Sequence, residues 1–228
     1  MIKVEICAPG RLSAENARRG GAQRIELCEN LNIGGTTPRM EDVGYCVRDL
    51  GLRTHVLIRP RGGDFCYADD EYRQILDDIR RCHEAGAQCV VVGFLTPDGR
   101  VDTARTKAAV AAAEGMEVTF HRAFDRVSDP YGALEEVIQC GCHRILTSGC
   151  KPTAEEGIGV LRELVARADG RIKILAGSGV TPENAAHIVA ETGVKEIHGS
   201  CKRLDSNGVA VTDTDIVKQL ISNLKRYE

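Results

Sequence analysis

The chain has 228 residues, 43% of them hydrophobic and 28% charged, with 30 lysines and arginines against 33 aspartates and glutamates. That apolar share suits one large globular domain over residues 1–228, because no Pro/Ser/Gly-rich linker divides the chain. A net charge of −3 with both signs interspersed and only 4% aromatics argues against nucleic-acid binding, and no apolar run approaches the ~20 residues of a membrane span.

In chain order, short β-branched runs alternate with longer amphipathic segments, the pattern of βα units on a parallel sheet. The first run, Ile2 to Cys7, is too short and too charged for a secretory signal, so a cytoplasmic location and reduced thiols are expected for the ten cysteines. It ends Glu5-Ile6-Cys7, and the second run, Arg24 to Cys28, ends Glu26-Leu27-Cys28. With a strand period of two, each places a carboxylate and a thiol on one face. The third run, Thr54 to Arg59, leads into Arg59-Pro60-Arg61-Gly62-Gly63-Asp64, which brings two guanidinium groups to a flexible turn. A helix follows over Tyr72 to Ala85, where Tyr72, Ile75, Leu76 and Ile79 share one face.

The fourth run is Cys89 to Gly93. The fifth, Glu117 to His121, continues as Arg122-Ala123-Phe124-Asp125, placing a side chain that titrates near neutrality beside an arginine and an aspartate. The sixth, Arg144 to Ser148, ends in hydroxyl donors, and a helix follows over Ile158 to Ala168. The seventh, Ile172 to Ala176, is followed by Gly177-Ser178-Gly179, and the eighth spans Glu196 to Ser200. Eight such units without an additional domain predict a closed (β/α)8 TIM barrel rather than an open doubly wound sheet.

The punctuation repeats. Gly21, Gly86, Gly141 and Gly193 each precede a strand by a few residues, where a left-handed glycine ends a helix. Thr37-Pro38, Asp129-Pro130 and Thr181-Pro182 predict helix starts, and Thr153 with Glu156 a capping box.

In such a barrel the chemistry sits at the C-terminal ends of the strands. If the Glu-x-Cys face looks inward, Cys7 and Cys28 lie on neighbouring strands, close enough to share a soft ion such as Cu(I); otherwise they are buried thiols behaving as small hydrophobes. Glu5 and Glu26 are costly inside a sheet unless paired, so at least one is expected to work as an acid or base. Arg59 either neutralises Glu26 or, with Arg61 and Arg122, holds an anionic group. His121 is the candidate general base, acid or second metal ligand, with Asp125 beside it; His55 and His198 stay unassigned. Gly177, Gly179 and Ser200, with Ser148 on the rim, have the setting of a phosphate cradle after strands seven and eight, although such glycines also serve plain turns. Cys140 and Cys142 fall at the opposite, helix-to-strand end.

Seven strings resemble a known family as a set: Glu5-Ile6-Cys7, Arg24 to Cys28, Gly34-Gly35 with Thr37-Pro38, Ile58 to Tyr67, Thr119 to Asp125, Leu146 to Gly149, and Ala176 to Val180. The first 200 or so residues resemble, in register, the CutC family of copper homeostasis proteins. That resemblance implies a cytosolic barrel, usually oligomeric as a homodimer or larger, with copper as partner and Cys7 and Cys28 as Cu(I) ligands. Thr36 departs from the leucine expected between Gly-Gly and Thr-Pro. A second reading is an enzyme acting on a small anionic or phosphorylated metabolite, with Glu5, Glu26, His121 and Asp125 doing acid/base chemistry.

Overall fold

The structure is a computed structural model, described over residues 2–206 and 208–225. Eight parallel strands form β1 (Lys3–Pro9), β2 (Arg24–Cys28), β3 (Arg53–Leu57), β4 (Cys89–Val92), β5 (Glu117–Phe120), β6 (Arg144–Thr147), β7 (Lys173–Ala176) and β8 (Glu196–Gly199). They pair in chain order and close when β8 meets β1, with Lys3 opposite Glu196 and Ile6 opposite Gly199. This is the predicted barrel, with every predicted strand present.

Around it run α1 (Gly10–Arg19), α2 (Met40–Gly44, extended by a π-helical turn to Asp49), α3 (Asp69–Glu84), α4 (Thr103–Ala112), α5 (Pro130–Gln139), α6 (Ile158–Ala168), α7 (Ala185–Thr192) and α8 (Thr214–Leu224). Period-two alternation divides each strand. One face, including Ile6, Ile25, Val56, Val90, Val118, Ile145, Ile174 and Ile197, is buried in the apolar core with the helices. The other face is polar, and Glu5, Arg24, His55, Thr119, Arg144 and Glu196 are all buried.

These polar residues pair across the barrel interior. Glu196 accepts from Arg24 Nη2 and Arg144 Nε, both at 2.6 Å, although β1 lies between β2 and β8 and β7 between β6 and β8. Arg24 also reaches Glu5 at 2.9 Å, and Arg144 reaches Glu117 at 3.1 Å. A buried charge is tolerated when paired in this way.

The helix-ending glycines adopt the expected left-handed backbone, with φ of +93° at Gly21, +84° at Gly86, +85° at Gly141 and +76° at Gly193. Asp129 caps α5 by accepting the Tyr131 N–H at 3.0 Å. Three other predicted starts differ. Thr37 accepts the Arg59 N–H at 2.9 Å, tying two loops together, and α2 begins only at Met40. Thr181 donates its N–H to Asn184 Oδ1, and Asn184 becomes the residue before α7. Thr153 and Glu156 do bond each other, but they close a turn ahead of α6. Thr37 and Thr153 thus spend their side chains on a tertiary or turn contact, while at Thr181 the contact is made by the backbone N–H.

Thr36 bridges Glu29 through its backbone and accepts from Asn30 Nδ2 at 2.9 Å, so a hydroxyl serves that loop. An antiparallel hairpin, β9 (Lys202–Leu204) and β10 (Ala210–Thr212), follows β8 and lies outside the sequence prediction.

Candidate functional site

The C-terminal mouth of the barrel holds a cavity of about 710 Å³. The loops around it carry strain: among the described residues, Asn30, Cys150, Ser178 and Cys201 have positive φ without being glycine, each just beyond a strand's C-terminal end. Such conformations persist where surrounding structure enforces them, commonly at functional sites.

The Glu-x-Cys face does look inward. Cys7 and Cys28 place their sulfurs 3.8 Å apart. Donor atoms of Cys7, Glu26 and His198 lie within 4.8 Å of one another. His198 Nδ1 is 2.9 Å from Glu5 Oε1, and Nε2 is 3.8 Å from Glu26 Oε2. Glu5 therefore orients the ring and leaves Nε2 on the Glu26 side, an arrangement that holds a histidine for an ion. Beneath, His55 Nδ1 lies 2.7 Å from Glu5 Oε2.

The electrostatics follow from burial and these neighbours. Burial pushes the Glu5 carboxyl upward, but His55, His198 and Arg24 together hold it well below its ordinary value. Glu26 is raised by burial and by Glu5, against the pull of His198. The hydrogen bond with Cys28, then burial, drive the Cys7 thiol well above the usual range. Burial opposes charge on His55, yet Cys89 and Glu5 lift it to about 9.

Cys7, His198 and Glu26 bring a thiol, an imidazole and a carboxylate close enough to share a soft or borderline ion, and Cys28 reaches this group only through Cys7. With metal–thiolate bonds of ~2.3 Å, two thiolates sharing one ion can be up to ~4.6 Å apart. The observed 3.8 Å meets that limit without moving a strand.

Arg59 and His121 occupy another part of the cavity lining, with Phe65 between them. Arg59 makes no ion pair with Glu26; it bonds loop carbonyls instead. His121 Nδ1 accepts the Ala123 N–H at 3.1 Å, so the single proton of the neutral ring belongs on Nε2. Burial, then the charge of Arg59, lowers its pKa to about 3. Nitrogen-15 NMR is expected to find the Nε2–H tautomer with no titration of His121 between pH 5 and 8; a titrating ring would contradict this. Gly93 leaves room for that ring: a Cβ there would stand 2.4 Å from two of its atoms and 2.9 Å from Ala123 Cβ. Gly93→Ala is expected to destabilise the fold by about 1–3 kcal/mol, measured as a lower urea midpoint, and an unchanged midpoint would refute the tight fit.

Asp125 accepts the N–H groups of Ser148 and Cys150, both hydroxyls of Thr147 and Ser148, and Arg122 Nε at 2.7 Å. It orders the loop after β6. Ser148 also donates to the Lys151 carbonyl. Arg122 lines the cavity, whereas Arg61 is bound to Glu71 at 2.6 Å and to Asp64, away from the cavity lining. Gly177 packs so closely that a Cβ would be 2.6 Å from Leu146 Cδ1. Gly179 and Ser200 line the cavity. The N–H groups of Ser178, Gly179 and Val180 have no hydrogen-bond partner among the described residues.

Sequence reasoning left His198 unassigned. Its signal was available, because Glu196 and His198 alternate on β8 as Glu5 and Cys7 do on β1, and Glu5 pairs with His198 in register.

The molecule is thus a (β/α)8 barrel with an ionic interior and a thiol, imidazole and carboxylate cluster at its C-terminal mouth. The CutC family model matches residues 2–203, and the chain belongs to the CutC family. A family protein CutC of Glaesserella parasuis is 45% identical over 201 residues, covering 88% of this chain and 83% of the relative. One of Bacteroides fragilis is 42% identical over 225 residues, covering 98% and 90%. A solved structure of a candidate copper homeostasis protein, CutC of Streptococcus agalactiae, superposes with a TM-score of 0.84 at 37% identity, covering 88% of this chain and 99% of that one. No helix among the described residues is long and apolar enough to cross a membrane.

Proposed function

We propose that this CutC family protein serves copper homeostasis in the cytoplasm as a homo-oligomer, binding Cu(I) through Cys7 and Cys28 at the barrel mouth. The observation that carries the reading is the 3.8 Å sulfur pair, with His198 and Glu26 beside it. The family relation and the copper homeostasis description of the S. agalactiae protein support it. Bound copper would be held by the two thiolates, with His198 reaching it from the Cys7 side, while Glu5 orients His198. Thiolates select the cuprous ion because both are soft.

A competition titration against a Cu(I) chelator tests this on wild type and on the Cys7→Ser/Cys28→Ser protein. Affinity is expected to fall by more than about a hundredfold, beyond the 10–100-fold lost when only an outer partner of a ligand is removed. Equal binding by both proteins would remove these cysteines from the site. Native mass spectrometry of the same samples reads the oligomeric state.

A second reading, turnover of a small anionic or phosphorylated metabolite, is favoured by a cavity of about 710 Å³, far larger than one ion needs. The unpartnered N–H groups of Ser178, Gly179 and Val180 on its rim suit an anion. Glu26, raised by burial, suits proton transfer.

A further inference from the structure

Among the described residues three arginines are buried: Arg24, Arg59 and Arg144. Arg24 bonds Glu5 and Glu196, and Arg144 bonds Glu117 and Glu196. Arg59, only 5% exposed, has no carboxylate within ion-pair distance among the described residues. Its Nη1 donates to the carbonyls of Ile33 and Gly35, both at 3.1 Å, and its Nη2 to that of Gly63 at 2.9 Å. These bonds lock the guanidinium in place and leave its Nε–H buried without a full hydrogen bond, with the equally unpartnered Tyr67 hydroxyl close to the guanidinium. A buried cation without an anion is an incomplete arrangement in a folded protein.

The second orphan donor is His121, also 5% exposed. Its Nδ1 is committed to the Ala123 N–H, so Nε2 carries the proton, and Nε2 is buried without a partner. The Phe65 ring joins the two groups: its centroid is 5.0 Å from the Arg59 guanidinium carbon and 4.9 Å from the His121 ring centroid. Arg59, Phe65 and His121 all line the cavity at the barrel mouth. None of them belongs to the thiol cluster.

We propose that Arg59 and His121 form a binding site for a small carboxylic acid, whose carboxylate takes the Nε–H of Arg59 and the Nε2–H of His121 beside Phe65. A monoanion balances the one buried charge, and its two oxygens offer one acceptor to each N–H donor. A phosphate dianion would bring more charge and more acceptors than the two orphan donors meet. Leu57 and Phe65, which also line the cavity, offer apolar surface to the short carbon skeleton behind the carboxylate. His121 in this role is a neutral hydrogen-bond donor, a different task from the base that its place at the strand end suggests. The inference deepens the metabolite reading and rests on it for the residence of an anion in this cavity.

The test is isothermal titration of the purified protein with pyruvate, a three-carbon 2-oxo acid, and separately with inorganic phosphate. Pyruvate is expected to bind saturably, and Arg59→Gln and His121→Phe each to weaken it about tenfold or more, the usual cost of losing a hydrogen bond to a charged group. His121→Gln, whose amide can donate from a similar position, is expected to recover part of that loss. Because Arg59 also holds loops, the His121 pair carries the test if Arg59→Gln fails to fold. Pyruvate is also expected to move the His121 Nε2–H resonance in the wild type. Equal pyruvate binding by wild type and His121→Phe overturns the proposal. Saturable binding of phosphate alone overturns the carboxylate site and leaves the metabolite reading standing, whereas binding of neither probe counts against both.

Discussion

Replacing Glu196 with alanine is expected to destabilise the protein by about 3–5 kcal/mol, the cost of removing one partner from a buried ion pair and leaving the others uncompensated. The size follows from position. Glu196 accepts from Arg24 and Arg144 at 2.6 Å each, and both arginines are buried. Neither can turn to solvent when the carboxylate goes. Denaturant unfolding measures the loss, and a change below about 1 kcal/mol, typical of a surface pair, would show that the network contributes little. Burial opposes ionisation of Glu196, but Arg144 and Arg24 hold its pKa below the ordinary 4.5. Its contribution is therefore present above about pH 4.5 and is lost as the pH falls through the lowered value.

On the proposed thiolate ligation, Cu(I) affinity is expected to rise with pH by at least about one logarithmic unit per pH unit between pH 6 and 8, because a thiol that ligates as thiolate releases its proton on binding. Cys7 is held protonated by its hydrogen bond with Cys28 and by burial, so its proton is present across that range. His198, whose charged form is favoured by Cys7, Glu5 and Glu26 despite burial, adds to the slope if it too binds as the neutral ring. The sign is fixed by the ligand form: protons compete with copper, and acid weakens binding. A chelator competition series at constant ionic strength reads the slope, and a pH-independent affinity would exclude thiolate ligation.

Much of the fold was legible because its signals are local. Strand runs such as Arg24 to Cys28, the turn glycines Gly21 and Gly86, and the Asp129 cap depend on neighbours within a few residues, where backbone sterics and side-chain alternation decide the outcome. The candidate site was legible in part for the same reason: period two places Glu5 with Cys7 and Glu26 with Cys28, and barrel closure brings both pairs to one mouth.

What only the tertiary structure decided is which of these groups meet, and in what charge state. Glu196 and Arg24 are 172 residues apart, and nothing near either one signals the pairing. His198 gains its place from Glu5, 193 residues away, through closure of β8 on β1. Arg59, which sequence set against Glu26, instead grips the carbonyls of its neighbouring loops, and Asp125 spends its oxygens on the loop after β6. The proton of His121 is assigned by one backbone N–H two residues on, at a bend that the sequence around it does not announce. By itself the sequence determined the barrel, its strands and the shared face of each Glu-x-Cys pair, since these follow from periodicity and local sterics, whereas the inward direction of that face came from the folded barrel. The partners of its buried charges were decided by the folded state, where desolvation makes every buried ionisable group depend on whichever distant group the closed barrel brings within reach.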